Sequence, residues 1–210
     1  MWVEALTLQL GYNATLVAVG AALLGIAAGA TGTFLFLRKR ALVSDAISHA
    51  TLPGVGIAFL VMASFGGDGR HLAGLLLGAA LSSALGVAFM LWLSRRTRLN
   101  EDAAIGAILS VFFGFGVVLL TVIQTVSIGR PAGLNDFLLG MTAGMLYQDA
   151  VLIATAGALA IAAVWVLRRP MTMVAFDSGF ASASGTNVRH VDLAITGLVL
   201  AVTIIGLKIV

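Results

Sequence analysis

Residues 36–60 read FLRKRALVSDAISHATLPGVGIAFL. An apolar run ends there in three consecutive cations, Arg38, Lys39 and Arg40, and a second apolar run begins almost at once. The second run carries an aspartate and a histidine four residues apart, Asp45 and His49. The run after that pair, Leu52 to Phe65, has 14 residues. At ~1.5 Å per residue that makes roughly 21 Å of helix, short of the ~30 Å hydrocarbon core of a bilayer. A start at Ser44 gives 22 residues, or roughly 33 Å. The run therefore crosses a membrane only if Asp45 and His49 lie inside it or at its edge. An aspartate at the bilayer centre costs on the order of 2.5–3.5 kcal/mol, and less near the interface. That cost is tolerable when the side chain faces protein or a wet path.

Composition puts the whole chain in the same solvent. Hydrophobic residues make up 60% and charged residues 10% of the 210. A soluble domain carries about 25% charged residues, so this chain has too few to cover a water-facing surface. Nucleic-acid affinity is not the reading of a net charge of +3 here; in a membrane protein such an excess marks loop placement. There is no cysteine, which excludes disulfides and thiolate metal sites. The N-terminal MWVEALTLQL lacks a basic region and holds Glu4, unlike a cleavable signal peptide.

Apolar runs fall at about residues 15–37, 44–65, 72–93, 103–123, 150–167 and 193–210. Each is close to the ~20 residues that span a bilayer. The connections alternate in charge. Arg38–Arg40, then Arg95, Arg96 and Arg98, then Arg168 and Arg169 form three basic clusters. The intervening loops hold one Arg each with an Asp nearby. The positive-inside rule predicts an all-α, polytopic protein of about six spans, with these clusters in the cytoplasm and the N-terminus extracytoplasmic. Residues 137–147, FLLGMTAGMLY, are apolar but too short to span, and are expected to be interfacial or re-entrant. The polar stretch 168–192 is read as a cytoplasmic loop. Gly25-x-x-x-Gly29, Gly74-x-x-x-Gly78 and Gly140-x-x-x-Gly144 are expected to pack helices closely. One transmembrane domain over 1–210 is expected.

Spacing of four puts Asp45 and His49 on one helix face. Pro53 lacks the N–H that the carbonyl of His49 would accept, so the helix is expected to bend there, with Gly54 and Gly56 as loosening positions and the three as a hinge or gate. A carboxylate, an imidazole and a bare carbonyl suit Mn²⁺, Fe²⁺ or Zn²⁺. Two copies of the chain on a two-fold axis would supply two Asp and two His, enough for a site a cargo passes through. The competing reading makes Ser44 or Asp45 a helix cap and His49 a buried, hydrogen-bonded histidine.

FLRKRALVSDAISHATLPGVGIAFL resembles the signature of the permease subunits of metal-uptake ABC transporters, bacterial importers of manganese, zinc or iron. RLNEDAAIGAILSVFFGFGVVLL, residues 98–120, resembles the family segment that opens its fourth span. VAFDSGFASASGTNVRHVDL, residues 174–193, resembles the loop that docks on the ATPase. RPAGLNDFLLG, residues 130–140, is nearer to the manganese and iron branch than to the zinc branch. The resemblance covers nearly the whole chain, although family members generally run on for further spans, so the chain is expected to be short of the family length. It implies a multi-pass protein of the bacterial inner membrane, a homodimer or a heterodimer with a sister permease, cytoplasmic ATP-binding subunits and an extracytoplasmic metal-binding protein. It implies that Asp45 and His49 line the metal pathway, that no cofactor is permanently bound, and that ATP hydrolysis belongs to a partner. This chain itself is then a transport subunit and not an enzyme.

Within 168–192, Asp177 or Ser178 is a candidate N-cap and Gly185 a candidate left-handed stop, which outlines a helix of about two turns. Ala181-x-x-x-Gly185 resembles the coupling-helix pattern of bacterial importers, with Phe180 as the anchor in a partner's groove. Asn100, Glu101 and Asp102 read as a cap and dipole-favouring acids of the fourth span, within reach of Arg95, Arg96 or Arg98. Asp149 reads in the same way for the fifth. His71, His190, Gln124 and Ser127 are weaker candidates for metal collection, a cytoplasmic role or an entrance. The alternative function is a proton-coupled secondary metal transporter or channel, because Asp and His in a membrane also relay protons. The spans hold no paired-aspartate, Ser–His or His-Glu-x-x-His catalytic constellation, so an intramembrane enzyme is disfavoured.

Overall fold

The computed structural model describes residues 12–65, 71–125 and 147–207. Among these it is all helical: α1 (Tyr12–Leu37), α2 (Leu42–Ser64), α3 (Leu72–Arg96), α4 (Glu101–Thr125), α5 (Tyr147–Phe176), α6 (Ser178–Ala183) and α7 (Val188–Gly206). Six of them are long and apolar enough to cross a membrane, all but α6. The apolar stretch 137–147 and Gly140-x-x-x-Gly144 lie outside the described residues but for Tyr147, which begins α5. The chain divides into two units, residues 40–138 and residues 1–39 with 139–210.

In the first unit α2 is the inner helix. Half of its most apolar window is buried, against 17–28% for the other spans. Its buried residues include Val43, Ile47, Ala50, Val55 and Phe59, too wide a set for a single seam. Helix α3 runs antiparallel to α2: Gly74 meets Met62, Gly78 meets Gly54 and Ala58, and Gly86 meets Ala50. These positions recur every four residues, together with Ser82, so one row of small side chains lets two backbones approach. A Cβ on Gly54 would collide with the carbonyl of Gly78, and one on Gly78 with that of Gly54. Helix α4 runs parallel to α2, with Gly116 against Leu52 and Pro53, and Leu119 against Gly56. The buried hydroxyls of Thr51 and Ser83 donate to carbonyls one turn back, of Ser48 (2.6 Å) and Ala79 (2.7 Å), so neither is stranded in the apolar packing.

The second unit is built from α1, α5, α6 and α7. Ala27, Ala160 and Val202 form its centre, with Leu24 and Ile161 packed on them. Ile153 carries a second cluster with Val17, Leu24 and Ile205. These pairings make α5 parallel and α7 antiparallel to α1. The alternation of direction that the charge pattern predicted thus holds within each unit. In this unit the basic ends of α1 and α5 and the start of α7 fall together.

Three expectations change. Helix α5 does not stop at 167; it continues through Arg168, Arg169 and Pro170 to Phe176. A proline removes one backbone hydrogen bond, and here the packing outweighs that loss: Met171 and Val174 are fully buried beyond it. The stretch 168–192 is therefore mostly helical, with α7 already started at Val188. Gly25 and Gly29 pack against nothing: a Cβ on either meets no atom within 4 Å. Finally, Glu101 pairs with Arg40 at 2.7 Å rather than with the three arginines that precede it in sequence. Glu101 and Asp102 do occupy the first turn of α4, where the helix dipole favours them.

Candidate functional site

Asp45 lies in the first turn of α2 and His49 one turn further in. His49 Nε2 is 3.5 Å from Asp45 Oδ1, within ion-pair range but longer than an ordinary hydrogen bond. Their side chains are 36% and 56% exposed, so both donors open on the surface of this chain.

The competing reading loses ground on both residues. The N-cap of α2 is Ala41 and has no side-chain cap, while Ser44 and Asp45 lie inside the helix. The Ser44 hydroxyl donates instead to the Ala41 carbonyl at 2.8 Å. His49 is neither sealed nor surrounded by hydrogen-bond partners. Its ring stands edge-on to Phe113 of α4, with centroids 4.9 Å apart and planes at 81°. Phe113 flanks the imidazole on one side. No sequence signal singled it out, because its place against His49 depends on the parallel register of α2 and α4.

The pair is not joined by further candidate ligands. Among the described residues no group of three or more His, Cys, Asp or Glu is placed to hold a metal ion. A closed transition-metal site takes three or four protein donors, so two donors on an open face suit transient binding or completion from elsewhere. Pro53, Gly54 and Gly56, the expected hinge or gate, lie on the next turns of α2. The helix continues through Pro53, and all three are buried against α3 or α4. In this arrangement they act as contact points.

The second candidate region is α6. Asp177 is its N-cap, and its Oδ1 accepts from the Phe180 N–H at 2.8 Å. At the other end Thr186 N–H donates to Ala181 O (2.9 Å) and Gly185 N–H to Ser182 O (3.1 Å). That pair of bonds is a Schellman ending, and Gly185 supplies the left-handed residue it needs at φ 83°. Asn187 then caps α7 by accepting from the His190 N–H. Ala181 is fully buried and holds α6 to its own unit, whereas Phe180 is 60% exposed and available to a partner. Replacing Asp177 with Ala should cost about 1 kcal/mol of α6 stability. Faster hydrogen exchange of the Phe180 amide would show it; an unchanged rate would mean that the cap carries no weight.

The remaining candidates stay dispersed. His71 is the N-cap residue of α3 without a capping bond. His190 and Gln124 are exposed. The Asp149 side chain and Ser127 lie outside what the structure describes. Sequence reasoning also missed Arg38 and Asp192, which pair across 154 positions at 3.0 Å.

Comparison with known proteins gives consistent results. The profile described as the ABC 3 transport family matches residues 12–210. The manganese transport system membrane protein MntC of Bacillus subtilis (strain 168) is 41% identical over 208 residues, 99% of this chain and 47% of its own length. The zinc transport system membrane protein TroC of Treponema pallidum (strain Nichols) is 36% identical over 199 residues, 95% of this chain and 65% of its own length. The chain thus spans about half to two thirds of the length of these relatives. Among solved structures, PsaBC from Streptococcus pneumoniae in complex with Fab superposes with a TM-score of 0.77 at 26% identity, over 99% of this chain and 70% of that one.

Proposed function

The chain belongs to the ABC 3 transport family, and from that membership we propose that it is the membrane-spanning subunit of an ATP-driven importer of a divalent transition metal. It is a multi-pass α-helical membrane protein. The observation that carries the metal reading is the accessible Asp45–His49 pair, two donors of the right type on one face, with no third beside them among the described residues. Two copies, or this chain and a sister permease, would complete the coordination with two Asp and two His at their shared face. The manganese and zinc relatives suit the donors, since carboxylate and imidazole accept Mn²⁺, Fe²⁺ and Zn²⁺ alike. A site with few donors also releases its cargo readily, as a passage requires.

The remaining assignments follow from the same reading. Phe180 on α6 docks on a cytoplasmic ATP-binding subunit, with Asp177 and Gly185 fixing the two ends of the helix and Ala181 seating it. ATP hydrolysis occurs in that partner. An extracytoplasmic metal-binding protein delivers the ion at the opposite face, and the N-terminus lies on that side. Any bend at Pro53, Gly54 and Gly56 opens or closes the path beside the donors.

The test is transport by vesicles holding this chain with its ATPase and binding protein. Accumulation of Mn²⁺ should need internal ATP and should survive collapse of the proton gradient. Uptake without ATP that stops with the gradient would establish the proton-coupled alternative instead.

A further inference from the structure

At one end of the second unit, Arg38, the residue that follows α1, bonds both the last turn of α5 and the start of α7. Arg38 Nη1 donates to the Val174 carbonyl at 2.8 Å. Arg38 Nη2 donates to Asp192 Oδ2 at 3.0 Å. The two side chains are 17% and 19% exposed, so the pair is largely withdrawn from water. A cation kept only to mark the cytoplasmic end of a span needs neither burial nor directed bonds. Lys39 beside it fits that description and is exposed.

The placement of these contacts matters more than their strength. Val174 and Asp192 bracket the segment that contains α6. Val174 is two residues from the end of α5, where the last carbonyls have no partner within the helix. Asp192 is on the second turn of α7. Arg38 therefore closes the chain on both sides of Asp177–Gly185, and its planar fork fixes direction as well as distance. Ala181 seats α6 from within the same segment.

We infer that Arg38 is a positioning residue for coupling: it clamps the two flanks of α6 so that a push on Phe180 moves α1, α5 and α7 together. Without the clamp the same push is absorbed by fraying at the start of α7 or the end of α5. ATP is then still hydrolysed, but less metal moves per ATP. This inference rests on the reading of α6 as the ATPase contact and adds how the load enters the bundle.

The test uses the whole transporter in vesicles, with Mn²⁺ as the probe, and reads Mn²⁺ moved per ATP hydrolysed. Asp192→Asn keeps the shape and removes the charge. The expected result is a ratio lower by about tenfold, within the usual range of coupling between sites, with hydrolysis retained. The swapped pair Arg38→Asp with Asp192→Arg should recover part of it. A merely structural role would lower uptake and hydrolysis in proportion, and that outcome overturns the inference, as does an unchanged ratio. Should Asp192→Asn fail to accumulate, Arg38→Lys keeps the charge and loses the fork; a normal ratio there also overturns it. A cross-link from Phe180→Cys to the ATPase separates the two levels. No cross-link sinks the docking reading itself, whereas a normal cross-link with normal ratios in the variants sinks the clamp alone.

Discussion

Gly54→Leu is expected to abolish accumulation of the folded chain. A side chain at this position of α2 must begin where the carbonyl of Gly78 already sits, with the Cβ of Ser82 next to it. Backbone cannot yield as a flexible side-chain tip does, so the two helices must separate along their whole contact. Overpacking of this kind costs about 1–3 kcal/mol and sometimes more, and a rigid backbone neighbour puts it at the upper end. Marginal stability leaves little to absorb that. Gly54→Ala should show the same defect in milder form. Gly114→Leu is the control, because a Cβ there meets nothing within 4 Å. Recovery of monodisperse protein in detergent, followed by thermal unfolding, measures the effect. Equal recovery of Gly54→Leu and Gly114→Leu would falsify the backbone contact.

Asp45→Asn is expected to leave folding untouched and to remove transport. The side chain is exposed, caps nothing and supports no described packing, so stability should change by less than about 0.5 kcal/mol. Its charge is the better of the two donors to a hard or borderline cation. Even residues that only orient a metal ligand cost 10–100-fold when changed, so loss of a donor should lower Mn²⁺ uptake on the order of a hundredfold. His49→Ala should fall almost as far. Phe113→Ala should lose less, since it removes the support of the imidazole and keeps the donor. Normal uptake by a well-folded Asp45→Asn protein would mean that the metal takes another route.

Much of this was legible in residues 36–60. The length of the second run and the four-residue spacing of Asp45 and His49 are local properties, and local properties survive folding. The same holds for α6, whose caps at Asp177 and Gly185 follow from side-chain chemistry within one short segment. What escaped the sequence depended on distant partners. The fifth apolar run ends near 167, but Met171 and Val174 are buried beyond it and keep α5 going through Pro170. Glu101 had three arginines close by in sequence and pairs with Arg40, because α2 and α4 run parallel and bring their starts together. Arg38 looked like one of three equivalent topology markers until Val174 and Asp192 were beside it. Gly54 looked like a place where α2 loosens, and in the structure it also faces Gly78 of α3, where a Cβ on either would meet the other's carbonyl. Gly25 and Gly29 have the same spacing as Gly74 and Gly78, and only the second pair meets a neighbour.

The close approach at Gly54 and Gly78 also limits how the donors can move. With glycine on glycine there is no side chain to change rotamer, and Pro53 wedged against Gly116 blocks sliding on the other flank. Asp45 and His49 are then passengers on a stiff three-helix frame. On the proposed reading, a bend at Pro53, Gly54 and Gly56 would have to carry the α3 and α4 contacts with it, so the two candidate ligands would shift together with their neighbours.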